Sequence, residues 1–250
     1  MTIDLTGRRI IVTGSASGIG AGAVEYFLAS GAKVAALDIQ DQKGDANPNL
    51  VRLACDVSDR ARVTKAFDSA AEFLGGLDVL CHPGGLNGRG IAEELTAEDM
   101  RSMFEVNVMG TYHTNQEAWR LMREQGGSII NFSSMAAIRG LRNEAHYAAS
   151  KGAVAAWTRA VALDWGKYNI RVNAIAPVAF TAMAEVALAY IPEAQREAAL
   201  KQMNSMQALP GGLRGGVAIA PLLAFLASDA SDYITGQTFS VDGGVMLLGS

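Results

Sequence analysis

The sequence predicts an α/β fold: one doubly wound parallel sheet of about seven strands with helices on both faces. Three observations predict it. Short runs rich in β-branched residues alternate with longer amphipathic stretches along the chain. Several of the short runs are apolar throughout, as in Ile10-Ile11-Val12, the pattern of a strand buried on both faces of a parallel sheet. The 250 residues show no linker, repeat or low-complexity tract, so residues 1–250 read as one domain.

The elements follow in order. A strand at Arg9–Thr13 runs into Thr13-Gly14-Ser15-Ala16-Ser17-Gly18-Ile19-Gly20, where a helix near 18–30 begins and Gly31 suits its end. Strands are expected at Lys33–Asp38 and Leu50–Cys55, then a helix near 59–74 and a strand at Asp78–Cys81. Thr96 with Asp99 three residues on reads as a capping box opening a helix near 97–124. A strand at Ser128–Phe132 leads to Ser133 and Ser134, and a helix near 146–166 follows. A strand at Arg171–Ile175 precedes the irregular stretch Pro177 to Gly216, whose Met-, Ala- and Gly-rich composition marks an insertion above the sheet near 179–216. A helix near 217–228 and a strand at Thr238–Val241 complete the pattern.

Composition excludes several function classes. Half the residues are apolar and 18% are charged, which excludes a disordered chain. A net charge of −4 argues against nucleic acid as the main partner. The longest apolar run, Val217 to Ala227, is 11 residues with Pro221 inside it, against about 20 for a membrane span. The N-terminus has no apolar segment ahead of a cleavage site, so a cytoplasmic location is expected. Cys55 and Cys81 read as buried thiols, and His113 and His146 have no companions at metal-ligand spacing, so no metal is expected.

Two clusters carry chemistry. Gly14, Gly18 and Gly20 open a helix directly after a buried strand, which leaves backbone N–H groups free for a diphosphate that a Cβ would hold off. Asp38 lies 18 residues beyond Gly20 at the end of the next strand, close to the spacing of a carboxylate that grips adenosine ribose hydroxyls. In Tyr147-Ala-Ala-Ser-Lys151 the phenol and the ammonium share one helix face, and an ammonium beside a phenol favours phenolate. That makes a general acid/base for a hydroxyl or carbonyl oxygen. Ser133 and Ser134 end the preceding strand on the ligand-binding edge, and Asn107 lies at a similar level.

Together these residues resemble the short-chain dehydrogenase/reductase family, of Rossmann-like fold, from Gly7 to Gly244. The resemblance rests on Thr-Gly-x3-Gly-x-Gly at 13–20, Asn107-Val-Met-Gly110, Ser134 followed by Tyr147 and Lys151, Arg171-Val-Asn-Ala-Ile-Ala-Pro177, and the tail from Ile234 to Gly244. It implies Tyr147 as acid/base, Ser134 on the substrate oxygen, Lys151 on the nicotinamide ribose, and Asn107 holding a proton-relay water. It implies adenine contact by Asp56 and Val57, a bond from Thr181 to the nicotinamide carboxamide, and cofactor contact by Ser17, Ile19, Gly84, Pro177 and Val178. The Tyr-x3-Lys spacing separates the chain from the enoyl-reductase branch. Two places depart from the family pattern: His82-Pro83-Gly84-Gly85 stands for Asn-Asn-Ala-Gly, and Val178 for glycine. The expected activity is hydride transfer between NAD and an apolar secondary alcohol or ketone, by a homotetramer that binds no membrane and no nucleic acid. The alternatives are a non-catalytic nucleotide-binding regulator or scaffold, and an NADPH-dependent 3-oxoacyl ketoreductase.

Overall fold

The computed structural model describes residues 3–42, 44, 46–179 and 191–246. Its seven strands are β1 (Arg9–Thr13), β2 (Lys33–Asp38), β3 (Leu50–Ala54), β4 (Val79–His82), β5 (Gly127–Phe132), β6 (Ile170–Pro177) and β7 (Thr238–Val241). They form one parallel sheet in the order β3-β2-β1-β4-β5-β6-β7. The chain steps outward from β1 to β3, then returns to β4 on the other side of β1. The β1/β4 boundary is therefore the switch point, where a crevice opens at the carboxyl ends of the strands.

Alternation along each strand divides the core. Ile11, Leu80, Ile129 and Val172 face the layer of α2 (Arg60–Leu74), α4 (Gly110–Met122) and α6 (Ala145–Trp165). Ile10, Val12, Val79, Cys81 and Ile130 face α1 (Gly18–Ala29) and α8 (Ala220–Ala227). Both faces are covered, which is why the strands read as continuous apolar runs.

Three helical features differ from expectation. The stretch near 97–124 is two helices, α3 (Ala97–Phe104) and α4, joined by a π-helical turn at Glu105–Met109. The Thr111 hydroxyl donates back to the Asn107 carbonyl at 2.7 Å and Thr114 to Gly110 at 2.8 Å, competing with the regular ladder just there. The expected capping box of Thr96 and Asp99 is present. A five-residue helix α5 (Met135–Arg139), with Ser134 as its N-cap, is too short to show a period in the sequence. The insertion holds a helix, α7 (Glu193–Ser205), and returns to the sheet through the Leu209 N–H, which donates to the Gly243 carbonyl at 3.0 Å. Among the described residues of this segment Met206 is 47% exposed.

Candidate active site

At the switch point the glycine loop approaches the backbone after β4. Gly14 and Gly18 take φ of +57 and +58. A Cβ on Gly14 would stand 2.7 Å from Gly84 Cα, and one on Gly20 would run into the Gly14 carbonyl oxygen. Ser17 N-caps α1 without a side-chain hydrogen bond, so the first-turn amides, at Gly18 and Ile19, keep their donors for a ligand. Asp38 is 8% exposed, and its carboxylate accepts from the Ala16 N–H at 3.0 Å and the Gln40 N–H at 2.9 Å. Those bonds hold the carboxylate at the strand edge, with lone pairs left over for hydroxyl groups. The loop, the free amides and the carboxylate fit a dinucleotide: the cradle exists only because the side chains that would fill it are missing.

Asp56 accepts from the Ser58 N–H at 3.0 Å and the Ser58 hydroxyl at 2.6 Å. The Val57 carbonyl lies 3.1 Å from His113 Nδ1, and Val57 Cγ2 would stand 2.8 Å from a Cβ on Gly110. The Cys55 N–H donates to the Asp38 carbonyl at 2.8 Å, which keeps Asp56 and Val57 level with Asp38. Both cysteines are buried and free, and burial raises their pKa values. Both histidines set aside above are buried as well.

The His82 departure is accommodated. Its Nδ1 lies 2.7 Å from Thr13 Oγ1, so the end of β4 is tied to the end of β1. Thr13 Oγ1 also lies 3.4 Å from the Gly84 N–H. Burial, with the Lys151 charge adding to it, pushes the His82 pKa down to about 3, so the ring is neutral. Its Nε2 is buried without a partner.

The residues singled out for chemistry converge around α6. Ser134 stands at the carboxyl end of β5, where its Oγ accepts from the Ala136 N–H at 3.1 Å. Tyr147 is partly buried beside it. Burial raises the Tyr147 pKa above its ordinary value, and the hydrogen bond from Ser134 pulls in the opposite sense. Lys151 Nζ donates to the Phe132 carbonyl at 3.0 Å, and burial lowers its own pKa to about 8. Asn107 is wholly buried in the π-helical turn: its Oδ1 accepts from the Leu86 N–H at 2.8 Å, and its Nδ2 donates to the Leu86 carbonyl at 3.0 Å and to Ser150 Oγ at 2.9 Å.

Gly85 and Ser150 were not foreseen. A Cβ on Gly85 would lie 2.8 Å from Asn107 Oδ1 and 3.1 Å from Lys151 Nζ, so this glycine lets three chain segments meet. Ser150 had a sequence signal, a small polar residue on the Tyr147 helix three positions on. Pro177 ends β6 opposite Val241, and the Val178 N–H continues the pairing by donating to the Val241 carbonyl at 2.9 Å. Thr181 lies outside the described residues, as do Phe180, Met183, Val186, Leu188 and Tyr190 of the segment. Among the described residues no group of three or more His, Cys, Asp and Glu could hold a metal ion, and no helix is long and apolar enough to cross a membrane.

A family model described as enoyl-(acyl carrier protein) reductase matches residues 14–246. Versicolorin reductase of Emericella nidulans is 33% identical over 260 residues, covering 96% of this chain and 96% of the relative. A 2,5-dichloro-2,5-cyclohexadiene-1,4-diol dehydrogenase of Sphingobium indicum is 34% identical over 251 residues, covering 96% and 98%. The solved structure of ligand-free aldohexose dehydrogenase from Thermoplasma acidophilum superposes with a TM-score of 0.89 at 28% identity, covering 100% of this chain and 99% of that one.

Proposed function

Since the chain belongs to the short-chain dehydrogenase/reductase family, we propose that it moves a hydride between NAD(H) and an uncharged, largely apolar secondary alcohol or ketone, with Tyr147 as general acid/base. Membership makes it an oxidoreductase of small molecules that binds a nicotinamide cofactor. The observation that carries the finer reading is the meeting of Ser134, Tyr147 and Lys151 on the carboxyl edge of the sheet, beside the glycine cradle.

The nicotinamide, when bound, supplies or accepts the hydride. The amides at Gly18 and Ile19, with Gly14, Ser17 and Gly20 around them, hold the diphosphate. Asp38 accepts the adenosine ribose hydroxyls and repels a 2′-phosphate. Asp56, Val57 and Gly84 line the adenosine side, and Pro177, Val178 and Thr181 the nicotinamide side. Tyr147 gives its phenolic proton to a carbonyl oxygen in reduction and takes it back in oxidation, while Ser134 Oγ bonds the same oxygen. Lys151, with a pKa near working pH, binds the nicotinamide ribose and Asn107 fixes the loop at Leu86 beside it. Tyr147 and Lys151 one helical turn apart favour this carbonyl chemistry over the enoyl reduction that the matching model's description names.

The uncharged substrate rests on the absence of basic residues between Arg171 and Arg196. Arg139 Nη1 lies 3.4 Å from the Val245 carbonyl, a backbone acceptor outside the Tyr147 and Ser134 group. The test compares kcat/KM for cyclic and aryl ketones with 2-oxo and 3-oxo acids, using NADH and NADPH, in wild type and Val178→Gly. The reading expects NADH, the uncharged ketones, and a changed ketone preference in Val178→Gly at little changed cofactor KM. Preference for the oxo acids would overturn the substrate class. Cofactor binding without turnover on any compound would favour the scaffold alternative.

A further inference from the structure

Glu144 sits one helical turn before Tyr147, as the N-cap of α6, and is 8% exposed. A carboxylate that deep requires a partner, and it has one in Arg89, whose Nε lies 3.4 Å from Glu144 Oε1. The arginine side chain is 63% exposed and the glutamate side chain 10%, so the pair reaches from the surface to the site. The backbone fixes it. The Gly90 N–H donates to the Asn143 carbonyl at 2.8 Å, Gly90 and Glu144 form an isolated parallel bridge, and Asn143 takes a φ of +61 that turns the chain into α6. A Cβ on Gly90 would stand 2.6 Å from Leu95 Cδ2, and one on Gly88 would stand 2.7 Å from His146 Nε2. The 88–90 loop therefore lies directly on the start of the Tyr147 helix.

We propose that Glu144 is a positioning residue which, with Arg89 as its counter-ion, sets the pH at which Tyr147 exchanges its proton. This rests on the reading of Tyr147 as acid/base. The carboxylate is a like charge to the phenolate and disfavours it, acting in the same upward sense as burial and against the Ser134 hydrogen bond. Burial raises the pKa of Glu144 itself, and Arg89 and then His146 oppose that. The charged and titratable groups near the pair are Arg89 on the loop, His146 on α6, Asp99 of α3, and Lys151, whose Nζ donates to the Phe132 carbonyl. Arg89 stands against the carboxylate and partly cancels its charge, so the two side chains bias the phenol in opposite senses.

The test measures the pH dependence of kcat/KM for alcohol oxidation, and the tyrosinate ultraviolet difference titration against Tyr147→Phe, in wild type, Glu144→Gln, Arg89→Gln and the double variant. Glu144→Gln should move both midpoints down by roughly 0.5–1 pH unit. Arg89→Gln, which leaves the carboxylate without its counter-ion, should move them up, and the double variant should fall between the two single variants. Unmoved midpoints with altered rate or stability would show a purely structural strut and overturn the proposal, as would shifts of the same sign in both single variants. A rate that depends on Tyr147 with an unmoved midpoint overturns this proposal alone, whereas full turnover in Tyr147→Phe overturns the acid/base reading and the proposal with it.

Discussion

At the scale of single residues, two side chains bear most of the functional reading. Tyr147→Phe keeps the ring and deletes the transferable proton. Its kcat should fall about 10²–10⁴-fold while NADH affinity, read by fluorescence titration, survives; near wild-type turnover would mean another group carries the proton. Asp38 ends β2 with both oxygens held by backbone amides, and Ile39 next to it is 66% exposed. A 2′-phosphate would meet the carboxylate, and the residue next in the chain, Ile39, offers it no charge. Wild type should prefer NADH in kcat/KM by about tenfold or more, about 1.4 kcal/mol, and Asp38→Ala with Ile39→Arg should narrow the gap. The placing of Tyr147 and Lys151 one turn apart on a helix and of Asp38 at a strand end was legible from spacing. The electrostatic state of Tyr147 was not: a helix pattern places the ammonium one turn away, but only the packing around Phe132 shows where Nζ points and how strongly burial opposes it.

At the scale of elements, the end of β4 shows a fold tolerating an unusual residue. His82 pairs with Thr13 across the β1/β4 boundary, and burial keeps its ring neutral with a pKa of about 3 against 6.5 in the open. The unfolded chain therefore binds a proton in that window and the folded chain does not. Stability should fall as pH drops from about 6.5 towards about 3, by about 1.4 kcal/mol per pH unit on top of other groups. Urea unfolding of wild type and His82→Asn at about pH 7 and pH 5 checks this: the loss between the two should be smaller by about 2 kcal/mol in the variant, and equal losses would show that His82 titrates normally. The strands were readable because several are apolar throughout and all are short runs rich in β-branched or apolar residues, and their expected bounds match to within two residues. The π-helical turn at Glu105–Met109 was not readable, since Asn107 takes its position from the backbone of Leu86, 21 residues away in sequence.

At the scale of the whole molecule, the sheet places the two clusters side by side, and the outer surface points to assembly. Trp157 packs inward: its Nε1 donates to Asn115 Oδ1 at 3.0 Å and its ring meets Tyr112 edge-on at 5.6 Å. The outward face of α6 instead carries Ala149, Ala156, Ala160 and Leu163, the last 86% exposed. A closed symmetric assembly, a homotetramer on family resemblance, would bury that face. Light scattering at micromolar concentration should give the oligomer for wild type and a smaller species for Ala156→Arg; a monomeric wild type would count against it. Val245 and Met246 are described, while the apolar residues that follow lie outside the described range.

The sequence by itself determined the layer order of strands and helices, the glycine cradle, Asp38 at its strand end and the Tyr147–Lys151 pair, because each is set by a local period or a fixed spacing along one element. The tertiary structure alone decided that His82 reaches Thr13, that Gly85 stands between Asn107 and Lys151, and that Arg89 closes on Glu144 beside Tyr147. Those contacts join residues 22 (Gly85–Asn107) to 69 (Thr13–His82) positions apart, and a partner brought near only when the sheet closes leaves no periodic trace in the chain.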